Sequence, residues 1–195
     1  MKHIVVINGK GRIGKDTLIS SVVKAGGFFV CNASSIDPIR NMLNAELQPL
    51  DDKKSLPYRA MLSKVKEAVD TYYEAEHGIS YTNEYLMRAI RTWSGQAKLF
   101  PDKKCILFVH IREGQNIDTF IKEAKKTLTV ISDKDTAIST LLVRSNRGLG
   151  SYGNPSDDNA ENYEYDHTFE SNGTKEDDAA AFISMLNKEF FKEKG

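Results

Sequence analysis

The feature that most constrains this chain is a glycine-rich stretch, GKGRIGKDT, which follows an apolar run and occupies residues 9–17. Four residues separate Gly9 from Gly14, and Lys15 comes directly after the second glycine. Glycines let backbone N–H groups converge on a phosphate, and the N-terminus of a following helix adds partial positive charge there. A lysine in this place reaches the outer phosphates of a nucleoside triphosphate. The alternative is a turn without a ligand, but the order of strand, loop, lysine and helix favours a phosphate-binding loop.

Apolar runs alternate with helical patterns along the rest of the chain. Strand-like runs occupy residues 3–8, 28–33, 104–111 and 138–145, and a short fifth one is HTFES at residues 167–171. Strands that alternate with helices predict an α/β fold with a parallel sheet between two helical layers. Together with the loop, this pattern predicts a three-layer P-loop NTPase fold with a five-stranded parallel sheet, helices on both faces and a helical insert.

The length of 195 residues predicts one P-loop domain over residues 1–195. Residues 51–99 carry helical periodicity and no strand signal, so we expect them to form a helical insert that binds the acceptor of a reaction. Residues 145–165 are rich in Gly, Asn and Asp. We expect this stretch to be a lid-like loop that becomes ordered when substrates bind.

The amino-acid composition argues against some classes of binding partner. Lys and Arg number 27, as do Asp and Glu, so there is no overall basic field that would indicate nucleic acid or an anionic membrane surface. Apolar runs are too short to predict a transmembrane helix or a secretory signal. Cys31 and Cys105 lie in strand-like runs without a CxxC pair, which is typical of buried reduced thiols in a cytoplasmic protein. We expect a small-molecule partner, and a homodimer remains open.

The residue after the loop lysine departs from the common pattern. Asp16 stands where Ser or Thr usually supplies a magnesium-binding hydroxyl, and Thr17 follows it. The resulting GKDT resembles the loop of phage deoxynucleoside monophosphate kinases and, less closely, that of animal-type phosphomevalonate kinases. Arg12 matches an arginine inside the loop of these kinases. The resemblance implies that ATP and Mg2+ are bound by Gly9, Lys10, Gly11, Arg12, Ile13, Gly14, Lys15, Asp16 and Thr17.

A second stretch, SSIDPIRNML, resembles the segment that follows the second strand in the same kinases. There it helps to form the pocket of the acceptor nucleotide, which implies roles for Ser35, Asp37 and Arg40. Asp37 is also placed to be a plain helix cap, and Arg40 to lie on a solvated helix face. Within the insert, the residues considered for contact with the acceptor are Tyr58, Arg59, Arg88 and Arg91, of which Arg88 is the one we predict.

The third strand ends in VHIRE, where the kinase group often has Asp-x-Arg. Arg112 fits the arginine, but His110 occupies the position of the carboxylate. Asp16 or Glu113 is then expected to assist Mg2+, which needs only one or two protein carboxylates, with Thr17 as a further ligand. A site that has lost catalytic power is the alternative. We interpret His110 as a packed, hydrogen-bonded histidine rather than a metal ligand.

Arginines also follow the fourth strand. By resemblance, Arg144 and Arg147 are placed like the lid arginines that clamp transferring phosphates. The stretch over residues 151–170 carries six acids and no Lys or Arg. It forms either a solvated loop or one in which Asp157 or Asp158 orients the arginines or a metal-bound water. The ending YDHTFESNGT resembles that of the kinase group, which implies that Asn172 lies beside the donor purine.

The resemblance implies a phosphotransferase that moves a phosphoryl group from ATP to a (deoxy)nucleoside monophosphate or a similar small phosphate acceptor. Lys15, Arg112, Arg144 and Arg147 are the predicted catalytic residues, since they stabilise negative charge as it spreads. Two alternatives stay open. One is a protein that binds or hydrolyses ATP without transferring phosphate to a small acceptor. The other is a kinase of a non-nucleotide phosphate, such as phosphomevalonate or dephospho-coenzyme A.

Overall fold

The structure, a computed structural model, describes residues 1–11, 13–46, 56–145 and 159–191. Its sheet consists of β1 (Lys2–Asn8), β2 (Phe28–Ser34), β3 (Lys104–His110), β4 (Thr136–Arg144) and β5 (His167–Glu170). Within the described residues these five strands are all parallel, in the spatial order β2-β3-β1-β4-β5. The prediction of a five-stranded parallel sheet is therefore confirmed.

Helices connect the strands. They are α1 (Lys15–Lys24), α2 (Asp37–Glu46), α3 (Leu56–His77), α4 (Tyr81–Ala97), α5 (Gly114–Val130) and α6 (Lys175–Met185). A short 3₁₀ turn lies at Asn159–Asn162, and a π-helical turn at Leu186–Phe190 continues α6. Among the described helices, none has both the length and the hydrophobicity needed to cross a membrane.

The central strand β1 is buried on both faces, as an apolar strand in a parallel sheet must be. Val5 and Ile7 pack in a core with α1 and α6, whereas Ile4 and Val6 pack in a second core with α4 and α5. Helices thus cover both faces of the sheet, which confirms the predicted three-layer α/β fold.

The chain between β2 and β3 holds the helices α2, α3 and α4, in the region where the sequence predicts an insert. Helix α4 buries Met87, Ile90 and Trp93 in the core that it shares with the sheet. A smaller cluster around Ile39 and Tyr58 joins α2 to α3. The insert therefore packs as part of the domain, and α3 is its outer helix.

The carboxyl ends of the strands meet at one edge of the sheet. Ile7 of β1 and Ser34 of β2 both pair with His110 of β3, so three strand ends lie side by side. After β1 the chain continues into α1 on one face of the sheet, and after β3 it continues into α5 on the other face. Such a reversal opens a crevice at the ends of the strands, where α/β proteins bind their ligands.

A buried carboxylate stabilises the opposite edge of the sheet. Asp133 is 5% exposed and accepts hydrogen bonds from the Lys2 ammonium, the Ser94 hydroxyl and the Thr136 hydroxyl. Burial alone would raise the pKa of Asp133, but these hydrogen bonds outweigh it and hold the pKa below its ordinary value. The network joins the start of β1 to α4 and to the start of β4.

We expect Asp133→Asn to lower the free energy of unfolding by about 2–3 kcal/mol at pH 7, because it weakens charge-assisted hydrogen bonds in a buried place. Since folding lowers the pKa of Asp133, this contribution is complete above the unfolded pKa, near pH 4, and disappears as the pH falls through the folded value. Denaturant unfolding of both proteins between pH 7 and pH 3 measures it. The control is Asp135→Asn, at an exposed neighbouring position. The prediction would be contradicted if both variants lost the same free energy of unfolding, or if the difference between wild type and Asp133→Asn persisted at pH 3.

Candidate functional site

The loop between β1 and α1 requires glycine at two positions. Gly9 has φ +138°, and a Cβ atom there would lie 2.4 Å from the carbonyl oxygen of Val143. Gly14, which precedes α1, has φ +92°. Both angles lie in the left-handed region that side chains disfavour. The loop therefore passes directly over the end of β4 and enters α1 through a conformation that glycine permits.

The Lys15 side chain folds back over this loop. Its Nζ atom donates to the carbonyl oxygens of Gly9 at 2.6 Å and Lys10 at 2.8 Å. Lys15 is also the first residue of α1, so its charge adds to the partial positive charge of the helix N-terminus. The arrangement concentrates positive charge where backbone N–H groups of a phosphate-binding loop converge.

Asn8 holds the loop to its surroundings and was missed by the sequence analysis. Its side chain is almost fully buried, and its Oδ1 accepts the N–H of Gly9 at 2.8 Å. Its Nδ2 donates to the Arg112 carbonyl at 3.0 Å and to the Tyr165 hydroxyl at 2.8 Å. Asn8 thereby fixes the end of β1 against the end of β3. The signal available in the sequence was a polar residue at the end of an apolar strand.

A cleft of about 710 Å³ opens beside the loop, and we call it the loop cleft. Residues of the loop and α1, of the end of β2 and α2, of α3 and of the end of β3 line it. Its cationic lining residues, counted over the described part of the chain, are Lys15, Arg40, Arg59 and Arg112, and its carboxylates are Asp16 and Asp37. Several arginines and a lysine at one crevice favour a ligand that carries more than one phosphate.

In the segment after β2, Asp37 and Arg40 both line the loop cleft. Asp37 is the first residue of α2, and its Oδ2 accepts the backbone N–H of Ser34 at 2.9 Å. Its Oδ1 accepts from Arg40 Nη1 at 2.8 Å, so the carboxylate orders the start of the helix and also holds Arg40. Ser35 donates its backbone N–H to the carbonyl of His110 at 3.1 Å, which joins β2 to β3 at the floor of the site.

His110 is packed at the end of β3, in the lining of the loop cleft. Burial lowers its pKa to about 4; Asp16 opposes this shift, and Lys15 and Arg112 add to it. The imidazole is therefore neutral at physiological pH. The expected packing is present, but Nε2 is buried and has no hydrogen-bond partner among the described residues.

The structure places the next five predicted residues in three different surroundings. Asp16 and Thr17 lie in the first turn of α1 and line the loop cleft. Glu113 lies just before α5 and contributes to a neighbouring cleft instead. Arg144 ends β4, 3.9 Å from Glu170, and neither it nor Asn172 after β5 lines the loop cleft.

One predicted acceptor contact is not brought into the cleft. The Arg88 side chain is 69% exposed and its Nε donates to Glu84 at 3.0 Å. It lines neither the loop cleft nor the neighbouring cleft, because it lies on an outward face of α4. Arg59 of α3 lines the loop cleft in its place. Arg12, Arg147, Asp157, Asp158 and residues 146–158 of the predicted lid lie outside the described residues.

The loop has the features that the phosphates of ATP require, since Gly9 and Gly14 adopt backbone angles that glycine permits and Lys15 supplies charge at the start of α1. Within the described ranges, no group of three or more His, Cys, Asp or Glu side chains is placed to hold a metal ion. Mg2+ does not require such a group, because phosphates and waters complete its coordination. Asp16 and Thr17 are oxygen ligands of the kind that it takes.

No protein-family model matches the chain, and no curated protein matches it. Among solved structures, the chain is similar to the tunicamycin resistance protein of Deinococcus radiodurans, with 11% identity and a TM-score of 0.43 over 95% of this chain and 96% of that one. It is also similar to an unliganded sugar kinase from Janibacter sp. HTCC2649, with 14% identity and a TM-score of 0.38 over 96% of this chain and 95% of that one. Function therefore has to be argued from the site.

Proposed function

We propose that this protein transfers the γ-phosphoryl group of ATP to the phosphate of a small acceptor, with a (deoxy)nucleoside monophosphate as the first candidate. One observation carries the proposal. The loop cleft combines a glycine loop at a helix N-terminus with Lys15, Arg40, Arg59 and Arg112. With four cationic residues and the two carboxylates Asp16 and Asp37 among its described residues, the lining has a formal charge of 4 − 2 = +2, which favours phosphate groups.

In this reaction, an oxygen of the acceptor phosphate forms a bond to the γ-phosphorus, and the bond from that phosphorus to the β–γ bridging oxygen breaks to leave ADP. An ionised acceptor phosphate needs no general base. The protein contributes position and charge: the loop N–H groups and Lys15 hold the donor, and Arg112 stabilises charge on the transferring group. When bound, Mg2+ supplies further neutralisation of the phosphates, and Asp16 and Thr17 are the residues that would hold it.

One observation favours a second candidate, a protein that binds or hydrolyses ATP without a small acceptor. His110, a neutral imidazole, occupies the strand end where the resemblance calls for a carboxylate. A neutral ring cannot orient metal-bound water as a carboxylate does. The two candidates differ in whether ATP turnover depends on an acceptor.

An acceptor screen tests the proposal. ADP release from ATP and Mg2+ is measured without acceptor and with nucleoside monophosphates, deoxynucleoside monophosphates, phosphomevalonate or dephospho-coenzyme A. We expect at least one phosphate acceptor to raise the rate by about tenfold or more over the acceptor-free rate. Turnover that no acceptor accelerates supports the second candidate, and absence of ATP binding would contradict both.

We further expect the acidic residues near the loop to determine the magnesium requirement. Asp16→Asn should raise the Mg2+ concentration for half-maximal activity by about tenfold, because an amide is a weaker ligand than a carboxylate. Glu113→Gln should raise it less, since Glu113 lines the neighbouring cleft. Activity is titrated with Mg2+ at fixed ATP, and the exposed Glu76→Gln on α3 is the control. Wild-type dependence in both variants would assign the metal to other ligands.

A further inference from the structure

A second cleft of about 470 Å³ adjoins the loop cleft. It lies between α3, the turn from α3 to α4 and the start of α5. Ile111 lines both clefts, and Ser35, beside the α2 segment of the loop cleft, lines the second one. A molecule whose phosphate lies among the arginines of the loop cleft can therefore extend its other end into this second cleft.

The charge of the second cleft is opposite to that of the loop cleft. Counted over the described part of the chain, its lining has one cationic residue, Lys66, and five carboxylates: Glu67, Asp70, Glu74, Glu113 and Glu123. We call it the acidic cleft. Glu67, Asp70 and Glu74 follow one another at helical spacing, so α3 turns one acidic face towards it.

The carboxylates of this face differ in what they already bind. Asp70 accepts the backbone N–H and the hydroxyl of Thr82, each at 2.8 Å, and lies 3.2 Å from Lys66. Asp70 therefore binds groups within the protein and holds α3 against the start of α4. Glu67 and Glu74 are exposed on the same wall. These two carboxylates face whatever enters the acidic cleft.

The remaining lining is mostly uncharged and polar. Asn83, Gln115, Asn116 and Thr119 contribute amide and hydroxyl groups, and the apolar surface comes from Ile79 and Ile111. Amides and carboxylates offer many hydrogen-bond acceptors to a ligand's hydroxyl, amino or ring N–H groups. A second anionic group in the ligand would instead meet the five carboxylates and the one lysine, which is already paired with Asp70, so repulsion would oppose its binding.

We propose that the acceptor carries its phosphate at one end and an uncharged or cationic group, rich in hydrogen-bond donors, at the other, and that Glu67 and Glu74 exclude acceptors with a second anionic group at that end. The inference rests on the proposed function and narrows it. A nucleoside, with its sugar hydroxyls and base N–H groups, meets this description. Phosphomevalonate does not, because its end remote from the phosphate is a carboxylate.

The test compares two probes that differ by one negative charge. Uridine 5′-monophosphate and 5-carboxyuridine 5′-monophosphate share phosphate, sugar and pyrimidine ring, and the second adds a carboxylate on C5, on the side of the ring away from the sugar. Their binding is measured by calorimetric titration of the full chain in the presence of Mg2+ and a non-hydrolysable ATP analogue. We expect uridine 5′-monophosphate to bind about tenfold more tightly or better, because the added carboxylate would lie among the carboxylates of the acidic cleft, where like charges repel even with partial solvation.

Variants assign the discrimination to the acidic wall. The double variant Glu67→Gln and Glu74→Gln should reduce the ratio of the two affinities by about threefold or more, since it removes two of the five lining carboxylates while Asp70 stays paired with Lys66. Glu76→Gln, on the same helix but outside the cleft lining, should keep the wild-type ratio. Thermal melting of each variant checks that the fold is retained, which is expected because all three side chains are exposed.

The outcomes distinguish failure of this inference from failure of the proposed function. Equal binding of the two probes, tighter binding of the carboxylated form, or a ratio that the double variant leaves unchanged would overturn this inference. If the ATP analogue binds and neither probe does, the inference is overturned and the nucleotide site stands. If the ATP analogue itself fails to bind, the proposed function fails.

Discussion

Lys15→Ala is expected to lower the rate of phosphoryl transfer by about a hundredfold or more. The lysine ammonium lies over the loop, bound to the carbonyl oxygens of Gly9 and Lys10, at the first residue of α1. In the proposed function, this ammonium reaches the outer phosphates of ATP, where it stabilises charge that increases in the transition state. Alanine keeps the helix but removes this charge, so turnover should fall more than ATP affinity.

The matched control is Lys24→Ala, at the other end of the same helix. It removes an equal charge from an exposed position about two and a half turns away, so it should leave activity and ATP affinity close to wild type. Titration with ATP, steady-state rates and thermal melting of both variants separate binding, catalysis and folding. Unchanged ATP affinity together with unchanged turnover in Lys15→Ala would contradict the role of the loop.

The sequence was sufficient to predict the sheet and the loop because both depend on local signals. Each strand is a short apolar run between helical patterns, as at Ile4–Ile7 and in β3. The glycine spacing before Lys15 reflects backbone angles that few other residues adopt, and the structure has those angles at Gly9 and Gly14. Parallel strands then bring their carboxyl ends together whatever the details of packing, which places Lys15 and Arg112 in one cleft.

Contacts between distant parts of the chain could not be predicted in this way. Asn8 meets Tyr165, 157 positions further on, and no periodicity connects the two. Asp133 likewise receives hydrogen bonds from Lys2 and Ser94, which come from different elements. Such pairs depend on how whole elements dock, and this is decided by tertiary packing.

Helix orientation accounts for the difference between Arg59 and Arg88. Both are surface arginines on helices of the insert, and the hydrophobic pattern shows only which face of each helix is buried. Whether an outer position faces a cleft or solvent depends on the neighbouring element. Helix α3 lies beside the loop cleft and directs Arg59 to it, whereas Arg88 pairs with Glu84 on α4. The spacing of Glu67, Asp70 and Glu74 is present in the sequence, but it does not show which element that face of α3 lies against.

The second large effect is expected at Gly9. Gly9→Ala should lower the free energy of unfolding by about 2–4 kcal/mol, because it combines a strained backbone angle with overpacking. The added Cβ would lie 2.4 Å from the Val143 carbonyl oxygen and 2.5 Å from Ile13 Cδ1. The isoleucine side chain can move, but the carbonyl belongs to β4 and is held by the sheet. The loop must therefore shift, and ATP binding should weaken along with stability.

Two other glycines separate the contribution of the backbone angle at Gly9 from that of the steric overlap. Gly26 also has a positive φ, +77°, yet within the described residues nothing lies within 4 Å of its added Cβ, so Gly26→Ala should show the backbone strain alone, about 1 kcal/mol. Gly27 has neither the strained angle nor a close neighbour in the described part of the chain, so Gly27→Ala should cost almost nothing or stabilise slightly. In denaturant unfolding, the loss of free energy of unfolding should be largest for Gly9→Ala, smaller for Gly26→Ala and smallest for Gly27→Ala. In ATP titration, only Gly9→Ala should bind ATP more weakly, because the other two glycines lie at the far end of α1. A Gly9→Ala protein as stable as the Gly27→Ala protein, with wild-type ATP affinity, would mean that the loop does not need to pass so closely over β4, and the phosphate cradle would lose its structural basis.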